Sequence, residues 1–168
     1  DSAYRYNTHV AIEVPAYIDA HYRTIPDRKH RAITGLSMGG HGGLSLGLRY
    51  ADFFGACGSM SGVVDLHVSS NKYDIAKRIG DTIQYAANWN KYSVINMVDH
   101  YPKDTLAMII DCGIGDAFIG VNRALHNKLL QLNIRHDYIE RPGKHDWNYW
   151  GNAVKYQLLF FREYFNNG

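Results

Sequence analysis

The chain has 168 residues, 46% hydrophobic and 20% charged, long enough to bury one core and without a shift in composition that would divide it, so a single globular domain is expected. Its formal charge of +2 comes from Lys and Arg scattered along the sequence, which argues against a nucleic-acid-binding surface. Its longest apolar runs are far too short to cross a bilayer, so no membrane partner is expected either.

In chain order, Asp1 opens the sequence with neither a methionine nor a charged region followed by an apolar one. Any targeting segment has been removed or lies upstream, and the sequence assigns no compartment. Val10, Val14, Tyr17, Ile18 and His21 or Tyr22 fall at helical spacing over 10–22, with Pro15 bending or starting the regular part. After a polar stretch around Pro26, Arg31 to Ser37 reads as a buried strand ending in a glycine-rich segment, and Leu44 to Tyr50 as a short helix.

Phe54 to Ser61 alternates apolar and small residues as a tightly packed strand does, and Gly62 opens a long irregular region. This region forms a substrate-side insertion over about 63–102, rich in aromatic residues. Thr105 to Cys112 is an almost unbroken apolar run of the kind a parallel sheet buries on both faces. Val121 to Leu132 is an amphipathic helix, and Arg135 to Glu140 a fourth strand stopped by Pro142 and Gly143. In the last element Trp147, Trp150, Val154, Leu158, Phe161 and Phe165 recur at steps of three and four, a wide stripe suited to a helix closing over a sheet. Strands alternating with helices indicate an α/β fold with a mostly parallel sheet, helices on both faces and reactive groups at the C-terminal ends of its strands. Cys57 and Cys112 are too few and too far apart for a zinc site or a disulfide scaffold and read as reduced core residues.

Five glycines surround Ser37 in GLSMGGHGG, residues 35–43. Glycine inside a helix costs about 0.5 to 1 kcal/mol relative to alanine, so the cluster needs a steric reason. Gly35-Leu36-Ser37-Met38-Gly39 matches G-x-S-x-G between a predicted strand and a predicted helix, where the serine occupies a sharp turn and its neighbours must be small. The phosphate-loop patterns G-x-x-x-x-G-K-[ST] and G-x-G-x-x-G are absent.

A serine hydroxyl needs a base to take its proton and a carboxylate to hold that base. His145 lies after the last strand, in the turn leading into the final helix, where the base belongs. Asp116 follows the third strand in a flexible stretch and is the preferred acid, with Asp65 after the second strand and Asp111 inside the third as competitors. The backbone N–H of Met38 is the expected oxyanion donor. His41, Trp89 and Trp147 are candidate substrate contacts, each weighed against a plain packing role. No metal-ligand spacing is present, and no cofactor is expected.

The segments GLSMGG, FGACGSMSG, DCGIGDAF and PGKHDWNYW, in that order, resemble the esterase D-like esterases of the α/β hydrolase fold. These include tributyrin esterases, S-formylglutathione hydrolases, feruloyl and acetyl xylan esterases, and mycolyltransferases. The resemblance runs from about Tyr4 to the C-terminus and implies Ser37 as nucleophile, Asp116 as acid and His145 as base. It also implies several strands ahead of this segment, with a loop that donates a second oxyanion-hole N–H. The sequence is therefore expected to be the C-terminal part of a larger domain, associating with an N-terminal segment or with a second copy through an exposed strand edge.

The expected activity is hydrolysis of short acyl esters or acylated carbohydrates. S-formylglutathione hydrolysis, acyl transfer and a non-catalytic sugar-binding role are the alternatives.

Overall fold

The computed structural model describes residues 5–101 and 105–167. Four parallel strands, β1 (Ala32–Ile33), β2 (Ala56–Met60), β3 (Ala107–Gly113) and β4 (Asp137–Arg141), form one sheet in sequence order. The register pairs Ile33 with Cys57, Ser59 with Ile110 and Asp111 with Ile139. Every residue of β3 after Ala107 is buried, as its apolar run requires of a central parallel strand.

Side chains of β3 alternate between two cores. Met108 and Ile110 join Leu44, Cys57, Leu125 and Leu129, on the face covered by helices Met38–Arg49 and Ile119–Gln131. Ile109 joins Ala56 and Phe161 under the C-terminal helix Trp147–Asn167. The result is a three-layer α/β sandwich with helices on both faces. Both cysteines are free and buried, and burial pushes the Cys112 thiol up to about 12. No helix among the described residues is long and apolar enough to cross a membrane.

The helix that follows Ser37 starts at Met38, well before the predicted Leu44, so Gly39, Gly40, Gly42 and Gly43 are helical. Propensity opposes this and packing decides it. A Cβ on Gly43 would lie 2.4 Å from the Gly58 carbonyl oxygen, one on Gly40 2.7 Å from Ser59 Oγ, and one on Gly47 2.5 Å from Cys57 Cβ. These three glycines face β2 at steps of three and four, and the helix axis comes close to the sheet because they carry no side chain. Gly39 and Gly42 face open space.

Three further elements differ from expectation. The N-terminal helix is interrupted by a π-helical turn, His9–Glu13, immediately before Val14–His21. Pro15 cannot donate to the carbonyl of Ala11 and its ring crowds that carbonyl, so the turn widens. The region after Gly62 is folded into short helices, Ile75–Ile79, Ala86–Tyr92 and Val94–Met97, around the buried Trp89; its predicted boundary Pro102 lies outside the described residues, as does Tyr4. On the C-terminal helix Leu158 and Trp147 are exposed, while Gln157 is fully buried. Gln157 accepts a hydrogen bond from Thr34 Oγ1 (2.8 Å), and Gly58 makes room for its amide, since a Cβ there would lie 1.9 Å from Gln157 Oε1.

β1 is two residues long and pairs on one side with β2; among the described residues no strand lies along its outer edge. An apolar groove of about 650 Å³ runs beside it, lined by Pro15, Ile18, Ile25, Phe54, Phe161 and Phe165 among others.

Helix Ile119–Gln131 is tied to β4 by Arg123, which grips both oxygens of Glu140 (2.8 and 2.7 Å), and the Tyr138 hydroxyl donates to the same carboxylate (2.7 Å). The Arg123 hydrogen bond, followed by that of Tyr138, holds the Glu140 carboxyl at about 2, below its ordinary 4.5. A carboxyl lowered on folding stabilises the native state above its unfolded value, and the benefit is lost as pH falls toward the folded one.

Two outcomes are expected. In urea titrations Gly42→Ala should stabilise the fold by about 0.5 to 1 kcal/mol, whereas Gly43→Ala should cost about 1 to 3 kcal/mol by overpacking. The pair contact is solvent-screened, so Glu140→Gln should lose on the order of 1 kcal/mol at neutral pH. That deficit should shrink as the pH is lowered from 4.5 toward 2, and a deficit independent of pH would contradict the assignment.

Candidate active site

Ser37 stands where the chain leaves the line of β1 and enters helix Met38–Arg49. Its φ of 54° places it in the left-handed region, disfavoured for a residue with a Cβ. Three backbone hydrogen bonds secure the turn: Ser37 N–H donates to Met60 O (2.8 Å), Met60 N–H to Gly35 O (2.9 Å) and His41 N–H to Ser37 O (3.1 Å). A Cβ on Gly35 would lie 2.5 Å from the carbonyl carbon and oxygen of Gly39, so only glycine fits where the turn doubles back on the helix.

Asp116 and His145 stand on loops that follow β3 and β4. The two loops are laced together: Ile114 N–H donates to Arg141 O and Gly115 N–H to Gly143 O, both at 2.9 Å. Gly143 has a φ of +151°, and a Cβ on it would lie 2.2 Å from Tyr149 Cδ2.

From these three loops a continuous chain of side-chain hydrogen bonds forms. Ser37 Oγ is 2.8 Å from His145 Nε2, and His145 Nδ1 is 2.9 and 3.1 Å from the two oxygens of Asp116. A carboxylate only accepts, so Nδ1 carries the proton and Nε2 is left to accept from the serine hydroxyl. Asp116 is buried and also accepts from Phe118 N–H (2.8 Å), which fixes its orientation. The imidazole is gripped edge-on by Phe118 (centroids 5.1 Å apart) and Trp150 (4.8 Å). A serine hydroxyl, an imidazole and a buried carboxyl group are therefore in register at the C-terminal ends of the strands.

The structure brings Asp116 to His145, and neither rival acid. Asp65 accepts from His67 Nδ1 (2.7 Å) and from His67 N–H (3.0 Å), beside Ser93. Asp111 is fully buried and is held by Tyr149 and Arg141.

Of the candidate substrate contacts, Trp147 is 74% exposed and packs edge-on against Trp150. Trp89 has no exposed surface; its indole N–H donates to Gly80 O (2.9 Å), and it packs with Val63, Leu66 and Ile75. His41 donates from Nε2 to Tyr92 O (2.8 Å), and burial holds its ring below the ordinary histidine range. Trp89 therefore has a packing role, whereas His41 is half-buried and is tied to Tyr92 in the region after Gly62. Met38 is exposed at the first position of its helix. The contacts of Phe118 and Trp150 with His145 were not anticipated from sequence. The Trp147 to Trp150 spacing marks a helix face without showing that the ring of Trp150 reaches back to the base. Among the described residues no group of His, Cys, Asp or Glu side chains converges as a metal site.

The family model described as "Putative esterase" matches residues 1–161. The chain is 29% identical over 149 residues to an acetyl esterase of Caldicellulosiruptor saccharolyticus, covering 77% of this chain and 54% of that protein. It is 26% identical over 182 residues to a diacylglycerol acyltransferase/mycolyltransferase of Mycobacterium gordonae, covering 92% of this chain and 53% of that one. The solved structure of a ferulic acid esterase superposes with a TM-score of 0.81 at 30% identity, covering 96% of this chain and 62% of that chain. The chain thus spans about half the length of these curated relatives. With residues 1–161 of the chain matched by the family model and the same α/β hydrolase architecture in that ferulic acid esterase, the chain belongs to this esterase family.

Proposed function

We propose that this protein is a serine carboxylesterase that hydrolyses short-chain acyl esters or acylated carbohydrates through an acyl-enzyme on Ser37. The observation that carries the reading is the unbroken hydrogen-bond chain from Ser37 through His145 to Asp116.

In this reading His145 Nε2 takes the hydroxyl proton as Ser37 Oγ attacks the acyl carbonyl, and the tetrahedral intermediate places its negative charge near the start of helix Met38–Arg49. The Met38 N–H, at the positive end of that helix, is the donor for this oxyanion. His145 then gives its proton to the leaving alcohol, and the ester oxygen departs to leave Ser37 acylated. Water attacks the acyl-enzyme with His145 again as base, releasing the acid and restoring the hydroxyl. Asp116 holds the imidazole in the required tautomer and stabilises its protonated form. Phe118 and Trp150 keep the ring from swinging out of line.

Trp147, exposed at the start of the C-terminal helix just after His145, and Ile114, exposed on the loop that carries Asp116, offer an apolar rim for a sugar or phenolic ring. The likeness to an acetyl esterase and a ferulic acid esterase supports this substrate class. Transfer of the acyl group to a second alcohol uses the same residues, and the likeness to a mycolyltransferase keeps it as the second reading. The open edge of β1 and its apolar groove are proposed as the place where further strands or a second copy pack.

Turnover of p-nitrophenyl acetate, butyrate and ferulate by the full-length protein tests the assignment. Ser37→Ala should abolish it, and Asp116→Asn should lower kcat about 10⁴-fold by favouring the wrong tautomer. Wild-type rates in Ser37→Ala would remove the esterase reading, and acyl transfer to added sugar exceeding release to water would favour the second.

A further inference from the structure

One buried polar cluster takes no part in the reaction described above. Asp111, on β3, is fully buried and faces the C-terminal helix, between Met60 on β2 and Ile139 on β4 in the register. Its Oδ1 accepts from the Tyr149 hydroxyl and its Oδ2 from Arg141 Nη2. The Arg141 guanidinium lies 4.0 Å from the ring centroid of Tyr156, and its Nε and Nη1 are buried without hydrogen-bond partners. Asp111 is therefore the anion that compensates this cation among the described residues. Burial pushes the Asp111 carboxyl up, while the Tyr149 hydroxyl and Arg141 pull it down.

The sequence positions of these partners are informative. Arg141 is four residues before His145 and Tyr149 four residues after it, so both ends of the segment that carries the base are tied to one carboxylate. The ring of Tyr149 also presses on Gly143, and the Arg141 and Gly143 carbonyls receive the N–H groups of the Asp116 loop. Movement of Arg141 or Tyr149 would thus shift His145 relative to Asp116 as well as to Ser37.

We propose that Asp111, through Arg141 at the end of β4 and Tyr149 in the first turn of the C-terminal helix, is the positioning residue that sets the reach of His145, fixing the segment 141–149 so that its imidazole meets Ser37 and Asp116 together. The proposal rests on the esterase reading for its kinetic consequence and on the His145 to Asp116 contact for its structural one. Asp111 touches no reacting atom. Its effect belongs in the chemical step and not in substrate binding, because the segment orients the base while Trp147, exposed at the start of the helix, contacts neither Arg141 nor Asp111 in the bonds that hold the segment.

The test uses Tyr149→Phe, which keeps the ring on Gly143 and removes one hydroxyl, and Asp111→Asn, which keeps an acceptor for Tyr149 and removes the charge opposite Arg141. In the full-length protein each should lower kcat for p-nitrophenyl acetate about tenfold or more, with KM within twofold. Each should also broaden or abolish the downfield proton resonance of His145 Nδ1–H, assigned by its loss in Asp116→Ala. If one variant fails to fold, as shown by its melting curve, the other carries both readouts. A folded variant with wild-type kcat and an unshifted Nδ1 proton overturns the proposal. The resonance reports the His145 to Asp116 contact without turnover, whereas Ser37→Ala in the same assay reports the esterase assignment, so the two fail separately.

Discussion

The structure depends on how closely helix Met38–Arg49 approaches the sheet. That approach is possible because Gly40, Gly43 and Gly47 present hydrogen where a side chain would collide with Ser59, the Gly58 carbonyl or Cys57. It brings the first turn of the helix against the end of β2, where Met60 exchanges hydrogen bonds with both Gly35 and Ser37 and fixes the serine in its left-handed conformation. A looser helix would let Ser37 relax to a common backbone geometry and withdraw its hydroxyl from His145. The poor helix propensity of these glycines is thus offset by tertiary contact, and the strain at Ser37 is held by the sheet.

The other half of the site depends on a different kind of restraint. Asp116 and His145 sit on loops that have no regular structure of their own, yet each loop is short, begins at the end of a neighbouring parallel strand and shares backbone hydrogen bonds with the other. Strand register therefore becomes side-chain register. Phe118 and Trp150 then limit the imidazole to one plane, and the burial of Asp116 keeps water from competing for its oxygens. The three groups come from separate strand ends, and the sheet is the element that relates them.

Much of this was legible in the sequence because it is local. The G-x-S-x-G turn, the apolar run of β3 and the position of His145 before the last helix each follow from residues within a few places of one another. The start of the helix at Met38 was not legible, since glycines after a turn look like more turn until their contacts with β2 are known. The sequence offers Trp89 and His41 as substrate contacts because aromatic and imidazole rings suit both that role and packing. The burial of Trp89 and the bond from His41 to Tyr92 follow from the short helices after Gly62, which have too few periodic positions to be recognised alone. The link among Asp111, Arg141 and Tyr149 needs the pairing of β3 with β4 and the docking of the final helix, neither of which any single segment encodes.

In the proposed reaction Ser37 is made nucleophilic by His145 and Asp116 acting together. The most direct measurement is mass spectrometry of the full-length protein after reaction with a fluorophosphonate, beside the same reaction of His145→Ala. One phosphonylated peptide, containing Ser37, is expected in the wild type, with that modification lost in the variant. An adduct on another residue, or equal labelling of Ser37 in both proteins, would contradict it.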